Sequence, residues 1–160
     1  DDSFKIGIAW AGNPNQENDK NRSTTFEKFK LLKEISGVKL VSLQVGEASC
    51  QLNDSSVINM SDEITDFADT AAIIENLDLI ISIDTSVAHL AGAMGKPVWT
   101  LLSYVPDWRW LLDRRDSPWY SSMRLFRQLK FGDWNSVFDD VSNELKNLLR
   151  SRQSTSSGFY

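Results

Sequence analysis

The stretch LIISIDTSVAHLAGAMGKPVWTLL, residues 79–102, decides the fold. It opens on Leu79–Asp84, an aliphatic run broken only by Ser82, which suits a strand covered on both faces. A helix is expected from Ser86 to Met94, because Val87, Leu90, Ala91 and Met94 recur at the spacing of one buried stripe. Gly95, followed by Pro97, stops it. Val98–Leu102 then forms another buried strand. A strand, a short helix and a second strand, joined by connections of a few residues, imply a crossover between parallel neighbours.

The same alternation extends in both directions. Lys5–Trp10 (KIGIAW) reads as a strand, followed by the long polar loop AGNPNQENDKNRSTT. Ser23, Thr24 or Thr25 is placed to cap a helix over Phe26–Ile35 with Phe26, Phe29, Leu32 and Ile35 on one stripe, closed by Gly37. Lys39–Gln44 is a second strand and Val57–Met60 a weak third. A helix from Asp66 puts Phe67, Ala71 and Ile74 on one face. Residues 103–134 hold four of the six tryptophans together with several arginines, a composition that suits core and interdomain packing. Met123–Arg127 reads as a strand within that segment. Asn135–Arg150 is a closing helix built on Val137, Val141, Leu145, Leu148 and Leu149. The expected architecture is α/β: a Rossmann-like three-layer sandwich with a mostly parallel sheet, one domain over residues 1–150 and a mobile tail at 151–160.

Composition narrows the function classes. With 17 basic against 22 acidic residues and a net charge of -5, a general nucleic-acid surface is not expected. Small molecules or proteins are the expected partners. No transmembrane segment and no export signal are visible, and the single cysteine, Cys50, has no internal partner, so a cytoplasmic setting is expected. The chain lacks an initiator Met and runs almost at once into a strand, as expected of a piece of a longer chain.

In open parallel sheets, ligands bind beyond the carboxyl ends of the strands, where helix N-termini present free N–H groups. The polar candidates all fall on that rim: Asn13, Asn15, Lys20, Arg22 and Ser23 after the first strand, Gln44 and Glu47 after the second, Asp66 and Asp69 before the fourth, then Asp84, Thr85, Ser86 and His89. Asp84 at the end of a strand can cap the next helix, leaving the N–H groups of Thr85 and Ser86 facing outward with the positive end of the dipole, ready for an anion such as phosphate. His89 follows Thr85 by four residues and Ser86 by three, so it shares their face and can donate to the same ligand. The plainer alternative is that Asp84 and Thr85 only cap and His89 only satisfies a neighbouring carbonyl. Lys20 and Arg22 are either phosphate-neutralising cations or ordinary solvated charges, and Asp66 and Asp69 read as helix-start charges. No Walker loop, GxGxxG or GxSxG occurs, and one His with one Cys cannot build a structural zinc site.

Three stretches, IGIAWAGNPNQENDKNRS, EITDFADTAAIIENLDLIISIDTSVAHLAGAMGKPVWTLL and YVPDWRWLLDRRDSPWYSSMRLFRQ, resemble the C-terminal half of GT-B glycosyltransferases related to bacterial heptosyltransferases and to transferase domains that follow tetratricopeptide (TPR) repeats. The middle stretch is the specific one, where a strand, Asp-Thr and a His four residues after the Thr look like the family's donor-nucleotide turn. The resemblance implies a nucleotide diphosphate sugar as donor substrate, no cofactor and no metal. It implies that Asp84 accepts sugar hydroxyls or caps the helix, that Thr85 and Ser86 give backbone N–H to the diphosphate, and that His89 supports it. Lys20 or Arg22 would neutralise the leaving phosphate, Gln44 would lie near the base or ribose, and Asn13 lies on the same loop. Family relatives often carry glycine where Ser86 stands. A complete GT-B enzyme has two such halves, so the general base is expected in an absent N-terminal half, with an N-terminal acceptor or TPR domain as partner. The competing expectation is a non-catalytic module that docks a protein through residues 103–134. A Rossmann-like enzyme using another phosphorylated cofactor is a third, disfavoured by the missing glycine fingerprint.

Overall fold

The computed structural model describes residues 2–156 of the chain. Six strands form one sheet: β1 (Phe4–Ala9), β2 (Val38–Ser42), β3 (Ile58–Asn59), β4 (Leu79–Ile83), β5 (Val98–Leu102) and β6 (Met123–Arg127). They lie in the order β3-β2-β1-β4-β5-β6, and every pairing between them is parallel. A single isolated antiparallel bridge joins Asp116 to Arg124. The helices are α1 (Asp19–Arg22), α2 (Phe26–Lys33), α3 (Phe67–Glu75), α4 (Ser86–Ala93) and α5 (Trp134–Ser156). Among the described residues, no helix is long and apolar enough to cross a membrane.

Period-two alternation along the strands sorts their side chains into two cores. Ile6, Ile8, Leu79, Ile81 and Ile83 face Phe26, Phe29 and Leu32 of α2 and Val137, Phe138, Val141 and Leu145 of α5. Val41, Ile80 and Val98 face Ile74 of α3 and Ala88 and Ala91 of α4 on the other side. The α/β three-layer reading therefore holds, and the buried runs of β4 and β5 are buried throughout. Aromatic rings tie the first layer together: Trp10 tilts over Phe26 at 5.3 Å and Phe29 meets Phe138 edge-on at 4.8 Å. Each such fully buried ring stabilises the fold by roughly 1.5–3 kcal/mol.

Local details depart from the periodicity. In α4 the buried line is Ala88, Ala91 and Gly92, while Val87, Leu90 and Met94 pack as partly buried neighbours. The helix lies close to its neighbours because its inner residues are small. Gly92 is one reason: a Cβ there would stand 2.6 Å from Cγ of Tyr120, whose ring rests on the helix backbone. Phe67, expected on the buried face of α3, is 63% exposed; Thr70 and Ile74 are the buried positions. Asp66 and Asp69 form a reciprocal capping box at that helix start, which fixes Phe67 in the first turn, beyond the edge of the core. The third strand shortens to the two exposed residues Ile58–Asn59 at the sheet edge. The long loop after β1 contains the single turn α1. α5 runs on to Ser156, past the expected end at Arg150, so the tail expected from residue 151 is helical to that point; residues 157–160 lie outside the described residues.

Candidate functional site

The chain leaves β1 towards β2 on one side and later enters β4 on the other, so the connections diverge at the carboxyl ends of β1 and β4. At such a switch point a crevice opens. A cleft of about 960 Å³ lies there, lined by the loop after β1, the segment 43–51 after β2 and the start of α4.

The α4 side presents an open helix N-terminus to the cleft. Thr85 occupies the N-cap position, yet no side chain caps the helix. The Thr85 hydroxyl sits 3.1 Å from that of Ser82 instead. The sequence expectation that Asp84 caps is corrected: its carboxylate turns away from the helix end, accepting from Trp110 Nε1 at 2.8 Å and standing 3.4 Å from His89 Nε2. An uncapped first turn leaves its N–H groups without intrahelical partners, and Thr85, Ser86 and Val87 line the cleft.

Arg22 supplies the cation. Its Nε bonds Asp19 Oδ1 at 3.1 Å and its Nη1 donates to the Asp84 carbonyl at 2.9 Å, so the loop after β1 is tied to the β4–α4 turn. Asp19 also accepts from Ser23 Oγ at 3.0 Å, and Ser23 Oγ accepts from the Gly12 N–H at 3.0 Å. Gly12 is part of this knot because a Cβ there would fall 2.3 Å from Arg22 Nη2 and 2.6 Å from Asp19 Oδ1.

The remaining expected residues divide. Asn13 lines the cleft, with Oδ1 accepting from Asn15 N–H at 3.0 Å. Gln44 also lines it but is fully engaged: Oε1 accepts from the N–H groups of Trp10 and Ala11, both at 2.9 Å, and Nε2 donates to the carbonyls of Ala11 and Val45, both at 3.1 Å. Its amide shapes the floor. Lys20 is exposed on α1 and does not line the cleft. Neither Asp84 nor His89 is among the lining residues. His89 stacks on Trp110 at 5.2 Å between centroids and 28° between planes, and its Nδ1 lies 3.0 Å from the Tyr120 hydroxyl.

Burial acts to raise the Asp84 carboxyl, but the polar contacts of His89 and Trp110, with the charges of His89 and Arg22, outweigh it and hold the group below its ordinary value. It is therefore ionised at neutral pH. Gly12, Asp19, Trp110 and Tyr120 were not legible as site residues. Trp110 and Tyr120 lie 26 and 31 residues from the groups they touch, and only the folded chain joins them. Of the Trp-rich segment, Trp110 is core, whereas Trp108 and Trp119 are exposed.

Known proteins resemble the chain in sequence and in overall fold. Residues 57–130 match the family model of glycosyltransferase family 9 (heptosyltransferase). The chain is 26% identical to Protein FlbA of Caulobacter vibrioides over 159 aligned residues, covering 92% of this chain and 26% of that protein. It superposes on E. coli ADP-heptose lps heptosyltransferase II with a TM-score of 0.63 at 18% identity, over 95% of this chain and 48% of the other. A family 9 glycosyl transferase from Veillonella parvula superposes with a TM-score of 0.61 at 16% identity, over 94% of this chain and 47% of that one. The chain thus spans about a quarter of the curated relative and about half of each solved structure. Over residues 57–130 the chain is thus similar to glycosyltransferase family 9 (heptosyltransferase), and it shares the Rossmann-like α/β fold of about half of a heptosyltransferase structure.

Proposed function

We propose that this domain binds the nucleotide diphosphate sugar donor of a glycosyl transfer. The observation that carries the reading is that the uncapped N-terminus of α4 and the Arg22 guanidinium line one cleft at the switch point of the sheet. A diphosphate seated there takes N–H groups from Ser86 and Val87 and charge from Arg22, and the same groups stabilise the charge that grows as the diphosphate leaves. In this reading the N–H groups of α4 and the Arg22 guanidinium carry this task in place of a metal or cofactor, in a cytoplasmic setting. Glu47 lines the β2 side of the cleft, where a carboxylate suits ribose hydroxyls. Gln44 and Asn13 form floor and rim. The acceptor and the base that takes its proton belong, in this reading, to an N-terminal half or TPR domain.

Calorimetric titration of the chain with UDP, ADP and GDP tests it. Binding of at least one is expected, weakened about ten- to a hundredfold in Arg22→Ala through loss of a charge-assisted contact. Absence of binding to all three overturns the donor reading. It favours instead a docking module, for which the exposed Tyr104, Val105, Trp108, Leu112 and Trp119 speak.

A further inference from the structure

We propose that Tyr120 is a positioning residue for this cleft, fixing His89 in one tautomer so that the ring braces the β4–α4 turn and does not reach the ligand. The inference rests on the donor-binding reading for its functional consequence, but its geometry stands independently.

The Asp84 carboxylate is ionised and only accepts. A ring nitrogen 3.4 Å from its Oδ1 therefore carries the proton, since a lone pair there would face lone pairs. In its neutral form the imidazole has one N–H, and with that proton on Nε2 the Nδ1 atom is an acceptor. The group facing Nδ1 at 3.0 Å is the Tyr120 hydroxyl, which donates. The phenol is held in place because its ring lies on Gly92, where a Cβ would meet three ring atoms at 2.6–2.9 Å. Trp110 completes the bracket, stacking on the imidazole and donating Nε1–H to the other Asp84 oxygen at 2.8 Å.

Both ring nitrogens of His89 and both carboxylate oxygens of Asp84 are thereby engaged within the bracket. The sequence expectation that His89 donates to phosphate gives way to an indirect role. The Asp84 side chain is held by Trp110 and His89 while its carbonyl receives Arg22 at 2.9 Å. Loosening Tyr120 loosens Asp84, and with it the anchor that orients Arg22 in the cleft. Tyr120 acts on the ligand without touching it.

His89 is the sole histidine in the chain, so ring-nitrogen NMR reads a single imidazole. Tyr120→Phe removes the hydroxyl and keeps the ring over Gly92; a thermal melt close to that of the unmodified chain verifies that the fold is kept. The unmodified chain, at a pH where the ring is neutral, is expected to show Nε2 protonated and Nδ1 as a hydrogen-bonded acceptor. Tyr120→Phe is expected to shift Nδ1 towards a free acceptor, to mix the two tautomers, and to weaken nucleotide binding about three- to tenfold, the worth of one hydrogen bond. An Nδ1-protonated ring in the unmodified chain overturns the proposal, as do ring shifts unchanged by the substitution. Altered shifts with unaltered nucleotide affinity overturn the positioning role. The expected tautomer and its loss in Tyr120→Phe, with no nucleotide bound by either protein, support the His89 bracket and remove the donor reading instead.

Discussion

Placing a methyl group at Gly12 tests the coupling between loop and cleft most directly. Gly12 has no positive φ, so Gly12→Ala introduces no backbone strain and acts only through space. The new Cβ would lie 2.3 Å from Nη2 and 2.7 Å from Cζ of Arg22, distances that force the guanidinium out of position. Arg22 then loses its bonds to the Asp84 carbonyl and to Asp19, now 2.9 and 3.1 Å long. Bonds of this charged type contribute about 1.5–3 kcal/mol each when intact. The guanidinium can swing towards water and recover part of that, so the stability loss is expected at about 1–2 kcal/mol. Nucleotide affinity is expected to fall about tenfold or more, 1.4 kcal/mol per decade, because the displaced cation no longer faces the diphosphate. Calorimetry on the single and double variants isolates the effect. In an Arg22→Ala background, Gly12→Ala should change affinity by less than about 0.5 kcal/mol, because the group it displaces is gone. Unaltered affinity in Gly12→Ala, or full additivity in the double variant, would refute the coupling.

Two further outcomes follow from the groups around the cleft. Gln44→Leu removes the acceptor shared by the Trp10 and Ala11 N–H groups, and leaving two such donors unpaired is expected to cost about 2–5 kcal/mol in denaturant unfolding; stability equal to that of the unmodified chain would show that the amide is dispensable. Asp84→Asn tests the acid limb: the Asp84 carboxyl is held below its ordinary value, so its contribution is complete above the unfolded-state value of about 3.9 and is lost as pH falls through the lower folded value. The stability gap between the two proteins therefore narrows as pH falls below about pH 4, and a gap that does not change in acid contradicts the assignment.

How much was legible in the sequence depends on how far apart the deciding atoms lie. β4, α4 and β5 could be read from residues 79–102 because aliphatic runs and the Gly95–Pro97 stop are local signals, and parallel pairing follows from their spacing. Hydrophobicity alone does not bury Phe67, because the capping box of Asp66 and Asp69 fixes where that helix begins and leaves the ring in its first turn. Arg22 and Ser86 can be placed at the cleft they line because they sit on the rim that every open parallel sheet exposes. The sequence places His89 on α4 but does not show the rings it packs against. Helical spacing aligns it with Thr85 and Ser86, but an imidazole beside an indole and a phenol packs with them, and neither ring can be foreseen from a position 21 or 31 residues upstream.

The same distinction explains why the polar residues of the loop after β1 are not interchangeable. Lys20 and Arg22 carry the same charge two residues apart, yet only Arg22 lines the cleft. The difference is Asp19, buried beneath the loop and bonded to both Arg22 and Ser23, with Gly12 leaving the space in which the guanidinium lies. A planar fork can bond Asp19 through Nε and the Asp84 carbonyl through Nη1 at once, which an ammonium on a flexible stem cannot reproduce. Arg22 therefore joins two loops as well as bringing charge, and an Arg22→Lys replacement would keep the charge while releasing the tie between the loop after β1 and the β4–α4 turn.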